Sequence, residues 1–147
     1  MCRVSSARPT VNRGELQHVA ETRLAEAQVL LEAGKWSGAY YLVGYAVECG
    51  FKACIAKGTK QDDFPVKARV IASHSHDLAQ LVGVAGIRVE LLADTEKDAA
   101  FSGYWGVVSQ WNEESRYKQW SEPEAVELVQ AVSDSDHGVM RWLRTLW

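Results

Sequence analysis

Between Asn12 and Ala33 the apolar positions are Leu16, Val19, Ala20, Leu24, Ala27, Leu30 and Leu31. They recur every three or four residues, the period of a helix with one buried face. Asn12 with Glu15 three residues on is a capping box that opens this helix, and Gly34 is a left-handed stop. From Trp36 to Lys57 a wider apolar stripe follows: Trp36, Ala39, Tyr40, Val43, Ala46, Val47, Gly50, Phe51 and Cys54. The connection between the two is a residue or two long, which predicts an antiparallel helical hairpin. Gly44 and Gly50 each weaken the second helix by about 1 kcal/mol relative to Ala, which is tolerable where another backbone packs close.

Further along, residues 58–65 (GTKQDDFP) predict a loop. Residues 66–75 fit either a short helix or irregular chain. Asp77–Ala85 predicts a short helix stopped by Gly86, and Glu90–Trp111 a longer one of uneven quality, with Gly103 and Gly106 inside it. The last helix starts at the Ser121/Glu124 capping box and runs to the C-terminus through Ala125, Leu128, Val129, Val132, Val139, Leu143 and Leu146. No alternating strand pattern persists, and Ile87–Leu91 reads more simply as a helix start. The expected fold is therefore all-α: an up-and-down bundle of about five helices. It forms one domain over residues 12–147, after a loose polar lead-in of residues 1–11.

Composition narrows this picture. A chain of 147 residues builds one ordinary core, and 47% hydrophobic with 24% charged residues excludes bulk disorder. No apolar run approaches the ~20 residues of a membrane span. The opening MCRVSSARPT lacks the apolar stretch of a secretory signal. Cys2, Cys49 and Cys54 form neither a disulfide frame nor a zinc pattern, which points to a reducing, cytoplasmic setting. The expectation is a cytoplasmic protein with no membrane association, no metal and no cofactor. Six Trp and the Tyr40–Tyr41–Tyr45 cluster exceed what a small core is expected to hide, so a homodimer is predicted. The net charge of −3 argues against duplex DNA as the main partner. Residues 1–75 carry ten basic and seven acidic side chains, whereas residues 76–147 carry six and twelve. The basic first half is the side that could meet an anion.

Three stretches read together carry a family resemblance. LLEAGKWSGAYYLVGYAVECGFKACIAK holds a Trp-x-x-Ala-Tyr-Tyr opening and an Ala-Val-Glu-x-x-x-Lys segment. FPVKARVIASHSHDLAQLVGVAGI holds a His-Asp-Leu helix opening. FSGYWGVVSQWNEESRY ends in Trp-x-x-x-x-Arg-Tyr. In that order they resemble the HEPN domain family, over roughly residues 16–145. The resemblance implies an all-α bundle, usually dimeric and with a nucleotide-binding role proposed in the family's name. Such proteins often pair with a minimal nucleotidyltransferase in toxin–antitoxin systems. Many members are metal-independent ribonucleases, marked by an Arg with a polar residue after it and a His four to six residues on. There the His moves a proton and the Arg stabilises phosphate charge.

This sequence departs from that signature. Arg116 matches the Arg-Tyr motif, but the next His is His137, too far along. Arg69 is followed at short range by His74 and His76, yet the residue after it is the apolar Val70. Arg69, His74 and His76 are thus the candidate catalytic residues. Glu48, Lys52, Arg116 and Tyr117 are the candidate ligand-binding ones. Glu48 and Lys52 form an i,i+4 pair. Glu48 lies beside the apolar stripe and needs a cation, and Arg116 is the expected partner across the bundle. His76 is expected to cap the helix that follows it or to stay in solvent. Trp111, Tyr117 and Trp120 are expected in the core or an interface, with an aromatic shelf for a base as the alternative. His18 and His137 are expected to face solvent.

Three functions follow from these expectations: a dimeric interaction module working with a nucleotidyltransferase-type protein, a nucleotide- or RNA-binding module, and a metal-independent ribonuclease. Val70, Ile71 and Ala72 are expected to turn into the core and carry the neighbouring polar groups outward. On that ground no RNA cleavage is expected.

Overall fold

The computed structural model describes residues 11–147, so the lead-in expectation lies, but for Val11, outside the described residues, as does Cys2. The described chain is a helical bundle without strands. In order it contains α1 (Arg13–Glu32), α2 (Trp36–Lys57), α3 (Lys67–Ser73), α4 (Leu78–Ala85), α5 (Arg88–Lys97) and α6 (Ala99–Val108). A 3-10 turn (Glu113–Tyr117), α7 (Glu122–Ser133) and α8 (Val139–Arg144) follow.

Local chemistry sets most of these ends. The Asn12 side chain accepts from the Glu15 N–H and Glu15 answers on the Asn12 N–H, a closed capping box. Ser121 and Glu124 do the same for α7. Gly34 and Gly86 both adopt positive φ, at 75° and 72°, where a side chain would be strained. The Gly34 turn folds α1 back onto α2. Leu30 meets Gly38 at one end of this hairpin, and Leu16 shares a groove with Ile55 and Ala56 at the other.

Two expected long helices are broken. The one over Glu90–Trp111 ends at Lys97, because Asp98 takes an extended conformation and its side chain accepts from the Phe101 N–H, capping α6. The last helix breaks between Ser133 and Val139. There Asp134 accepts from the N–H groups of Asp136 and His137. Residues 67–73 form a helix, but one with no buried residue.

The central element is α2, with thirteen of its residues buried. It packs against α1, α4, α7, α8 and the 3-10 turn. Its two interior glycines accept side chains rather than backbone. A Cβ on Gly44 would run into the pyrrole edge of Trp111, and one on Gly50 would come within 2.7 Å of Leu143 Cδ1. Trp111 is buried there with its indole N–H unpartnered.

Most of the other aromatics are also taken up within one chain, Phe64 and Tyr117 excepted. Tyr40 stacks on Trp120 at 3.6 Å between ring centres, while Trp105 and Trp142 meet Phe51 edge-on. None of the six Trp is exposed. The premise that these rings outrun the core therefore fails, because the long α2 offers them a face along its whole length. Of the aromatic residues singled out in the sequence, Trp111 is buried and Trp120 half-buried, but Tyr117 is exposed. Among the described residues no helix is long and apolar enough to cross a membrane.

Candidate functional site

Glu48 lies on α2, 2% exposed, and its carboxylate has two partners. Lys52, one turn on, donates from Nζ to Oε2 at 3.2 Å. His76, from the loop before α4, lies with Nδ1 2.8 Å from Oε1. A carboxylate only accepts, so the proton of this bond sits on Nδ1. That leaves Nε2 of a half-exposed ring available to a proton or a ligand.

The expected Glu48–Arg116 bridge does not form. Arg116 is on the 3-10 turn, exposed, with its guanidinium carbon 4.9 Å from the centre of the Tyr117 ring. Tyr117 foremost, and then Tyr41, hold its pKa above the ordinary value. Nor does His76 cap α4. Asp77 does so, accepting from the Gln80 N–H, because its shorter side chain sits at the N-cap itself.

Beside Glu48 a groove of about 450 Å³ opens between α1, α2 and the end of α3. Leu16 and Val19 wall it from α1, Ile55 and Ala56 from α2. Its polar lining comes from Tyr45, Glu48, Lys52, Ser73 and His74. The Tyr45 hydroxyl is pushed up to about 12 by the neighbouring Cys49, reinforced by burial. Burial likewise raises Cys49.

One turn back along α2, Tyr41 stacks near Tyr45 at 6.3 Å and near Trp111 at 5.9 Å. Tyr41, Tyr45, Glu48 and Lys52 thus follow one another at helical spacing along one side of α2. Arg116 and Tyr117 stand at one end of this row, and His76 and His74 at the other.

The structure brings Glu48, Lys52 and His76 into contact and sets His74 on the same groove. It does not join Arg69 to them. Arg69 turns toward the end of α2, where Nη1 lies 3.4 Å from Thr59 Oγ1 and Nη2 lies near Gly58. The expectation that Val70 and Ile71 enter the core is also overturned, since both are exposed. Helix α3 packs chiefly on the short α4 and has no deeper layer to reach. The ground for keeping His74 away from a cleft goes with it.

Sequence reasoning passes over Tyr45 as a groove residue, and over the His137–Asp98 contact at 2.6 Å that ties the α7–α8 joint to the α5–α6 joint. His137 is exposed as expected, but bonded. His18 is exposed. No group of three or more His, Cys, Asp and Glu gathers to hold a metal ion among the described residues.

The Glu48 contacts join two of the three stretches that carry the family resemblance, the Ala-Val-Glu-x-x-x-Lys and His-Asp-Leu segments. Trp111 on Gly44 joins the third. Comparison with family models, with curated proteins and with solved structures finds no match to this chain.

Proposed function

We propose that the chain is a HEPN-like dimeric module that binds a nucleotide or single-stranded RNA and works with a nucleotidyltransferase-type partner in a toxin–antitoxin-type pair. The observation that carries the ligand half of this reading is the row on α2. It offers Tyr41 and Tyr45 for stacking, Lys52, His74 and His76 for phosphate, and Arg116 over Tyr117 at its far end. Stacking rings interleaved with cations are what a single strand uses, and a groove of this size suits one nucleotide. Glu48 keeps Lys52 and His76 in place.

The test is fluorescence anisotropy of a labelled oligoribonucleotide, with mononucleotides as competitors. Salt-sensitive binding that weakens in Lys52→Ala and Arg116→Ala supports the reading. No binding up to ~1 mM, where the interaction would be worth about 4 kcal/mol, overturns it.

A second reading, metal-independent RNA cleavage, is favoured by one specific contact. The Glu48–His76 bond orients an imidazole with a free nitrogen, the arrangement of a general acid–base. Cleavage that survives EDTA and vanishes in His76→Ala would place this reading first. Cleavage lost instead in Arg69→Ala and His74→Ala would assign it to that pair.

A further inference from the structure

From Gln119 to Met140 the sequence holds five carboxylates and no Lys or Arg: Glu122, Glu124, Glu127, Asp134 and Asp136. Among the described residues none of the five is in an ion pair. Their field is felt inside the fold. Burial foremost, and then the charges of Glu124 and Glu127, hold the Tyr40 hydroxyl above its ordinary pKa. The cations of the flanking segments are engaged elsewhere. Lys118 lies over the Trp120 ring, and Lys35 lines a recess with Trp36 and Trp120. Arg141 lines another recess with Asp94 and Asp98, and Arg144 pairs with Glu21.

This charge borders a groove. Between the C-terminal part of α1 and α7 a cavity of about 520 Å³ opens to solvent. Leu31, Val126 and Val129 give it an apolar floor, with Val126 40% exposed. Glu32 and Asp134 are its charged lining residues, and among the described residues no cation lines it. It shares no lining residue with the Glu48 groove. Val126, Gln130 and Asp134 succeed one another a turn apart, so the groove follows α7 for about 12 Å, roughly two helical turns.

A trough with an apolar floor between two helices suits a third, amphipathic helix, which sets its anchors at the same spacing. The sign of the charge selects among occupants: a nucleic acid or an anionic lipid surface is repelled, and a cationic helix is attracted. Within this chain α3 carries Lys67 and Arg69 beside Val70 and Ile71. Its contact with the groove of another copy would be heterologous, joining copies into rings or filaments. A separate protein needs no such assembly.

We infer that the groove between α1 and α7 docks a cationic amphipathic helix of the protein partner, with apolar anchors on Leu31 and Val126 and Lys or Arg side chains against Glu32 and Asp134. This deepens the partner half of the proposed function, on which it rests, and is independent of the ligand half. The partner then sits on a surface that the nucleic acid does not use.

Fluorescence anisotropy of the full chain with a labelled peptide of about 15 residues tests this. The peptide repeats Leu at helical spacing with Lys between. A scrambled peptide of the same composition, and one with Glu in place of Lys, are the controls. The cationic amphipathic peptide should bind at least about tenfold more tightly than either. Glu32→Lys and Val126→Lys should each weaken it at least about tenfold. Glu90→Lys on α5, which changes the net charge as much as Glu32→Lys does, should leave it within about twofold. All three side chains are exposed, so far-UV circular dichroism should show unchanged folding. No binding up to ~1 mM overturns the inference. So does equal binding of the scrambled peptide, or an equal loss in Glu90→Lys. Sedimentation velocity checks for a second copy in the groove: self-association that Glu32→Lys abolishes also overturns it. Oligoribonucleotide anisotropy on the Glu32→Lys sample should match the parent. The peptide titration contains no nucleic acid, so its failure is distinct from failure of the ligand reading.

Discussion

His76 Nδ1 and Glu48 Oε1 lie 2.8 Å apart, a bond between a half-exposed ring and a carboxylate sealed into α2. Lys52 takes the other oxygen from a partly exposed position. Removing the charge while keeping the shape, as in Glu48→Gln, is expected to cost about 1.5–3 kcal/mol, the range for hydrogen bonds to charged groups. A double-mutant cycle with His76→Ala should show coupling of about 0.5–3 kcal/mol in urea unfolding. Arg116→Ala, which removes no bridge to Glu48, should fall within about 0.5 kcal/mol of the parent. A loss of several kcal/mol at Arg116 would contradict the geometry.

The glycines of the bundle should divide by sign. Gly44→Ala drives a Cβ into a buried indole that has no free side on which to move. Overpacking costs about 1–3 kcal/mol, against about 1 kcal/mol returned by helix propensity. The variant should therefore be neutral to clearly destabilised. Gly103 and Gly106, on α6, have nothing within 4 Å of the place an alanine methyl would take. Their Ala variants should each gain about 0.4–1 kcal/mol. Thermal unfolding of the three variants side by side checks the order.

The His137–Asp98 bond predicts a pH window. Its hydrogen bond to Asp98 raises His137 above its ordinary 6.5, and the same bond foremost lowers Asp98 below its ordinary 3.8. A raised His stabilises fully below the unfolded value and loses its contribution as pH rises through the folded value. A lowered Asp stabilises above the unfolded value and loses its contribution as pH falls through the folded one. The clip should be strongest between about pH 4 and 6.5. The difference in Tm between the parent and His137→Ala should be largest in that window and shrink on both sides. A difference that keeps growing above pH 7 would show that the bond has another origin.

Burial raises both Cys49 and Cys54, the latter to about 11 despite Lys57 nearby. Since the thiolate is the reactive form, a Cys2→Ser variant should take up iodoacetamide slowly at pH 7 and rapidly once denatured. Fast labelling of the native variant would show that α2 opens.

What can be read from the sequence is whatever one helix needs for itself. Asn12 with Glu15, Ser121 with Glu124, Gly34 and Gly86 act within a turn of their own positions, so spacing reveals them. The hairpin follows from a turn too short for anything else. The break at Asp98 is hidden because the apolar period runs on through Phe101. The available sign is an Asp three residues before a helical position, a pattern that also occurs on ordinary exposed faces. The Glu48 partner is illegible for a different reason. Helical pattern shows that a buried carboxylate needs a cation, not which helix brings it. The Glu48–Lys52 pair is legible from its i,i+4 spacing, and the His76 segment stands out in the sequence, but not the fact that His76 reaches Glu48. Val70 and Ile71 read as core only because they are apolar, a rule that holds in the other direction alone.

Helix α3 has another consequence, in the order in which amides exchange with solvent. A helix of seven residues with no buried side chain has little to hold it closed except its own backbone bonds and its contact with α4. Its amide hydrogens should exchange early in deuterated water, while those of α2 should wait for global unfolding. Ser73 and His74 belong to the groove's outer wall, whereas Tyr45, Glu48 and Lys52 belong to its floor. Transient fraying of α3 would thus admit a ligand too bulky for the resting groove while the floor residues kept their positions. Protection of the 67–73 amides by bound ligand would be the direct record of that closure.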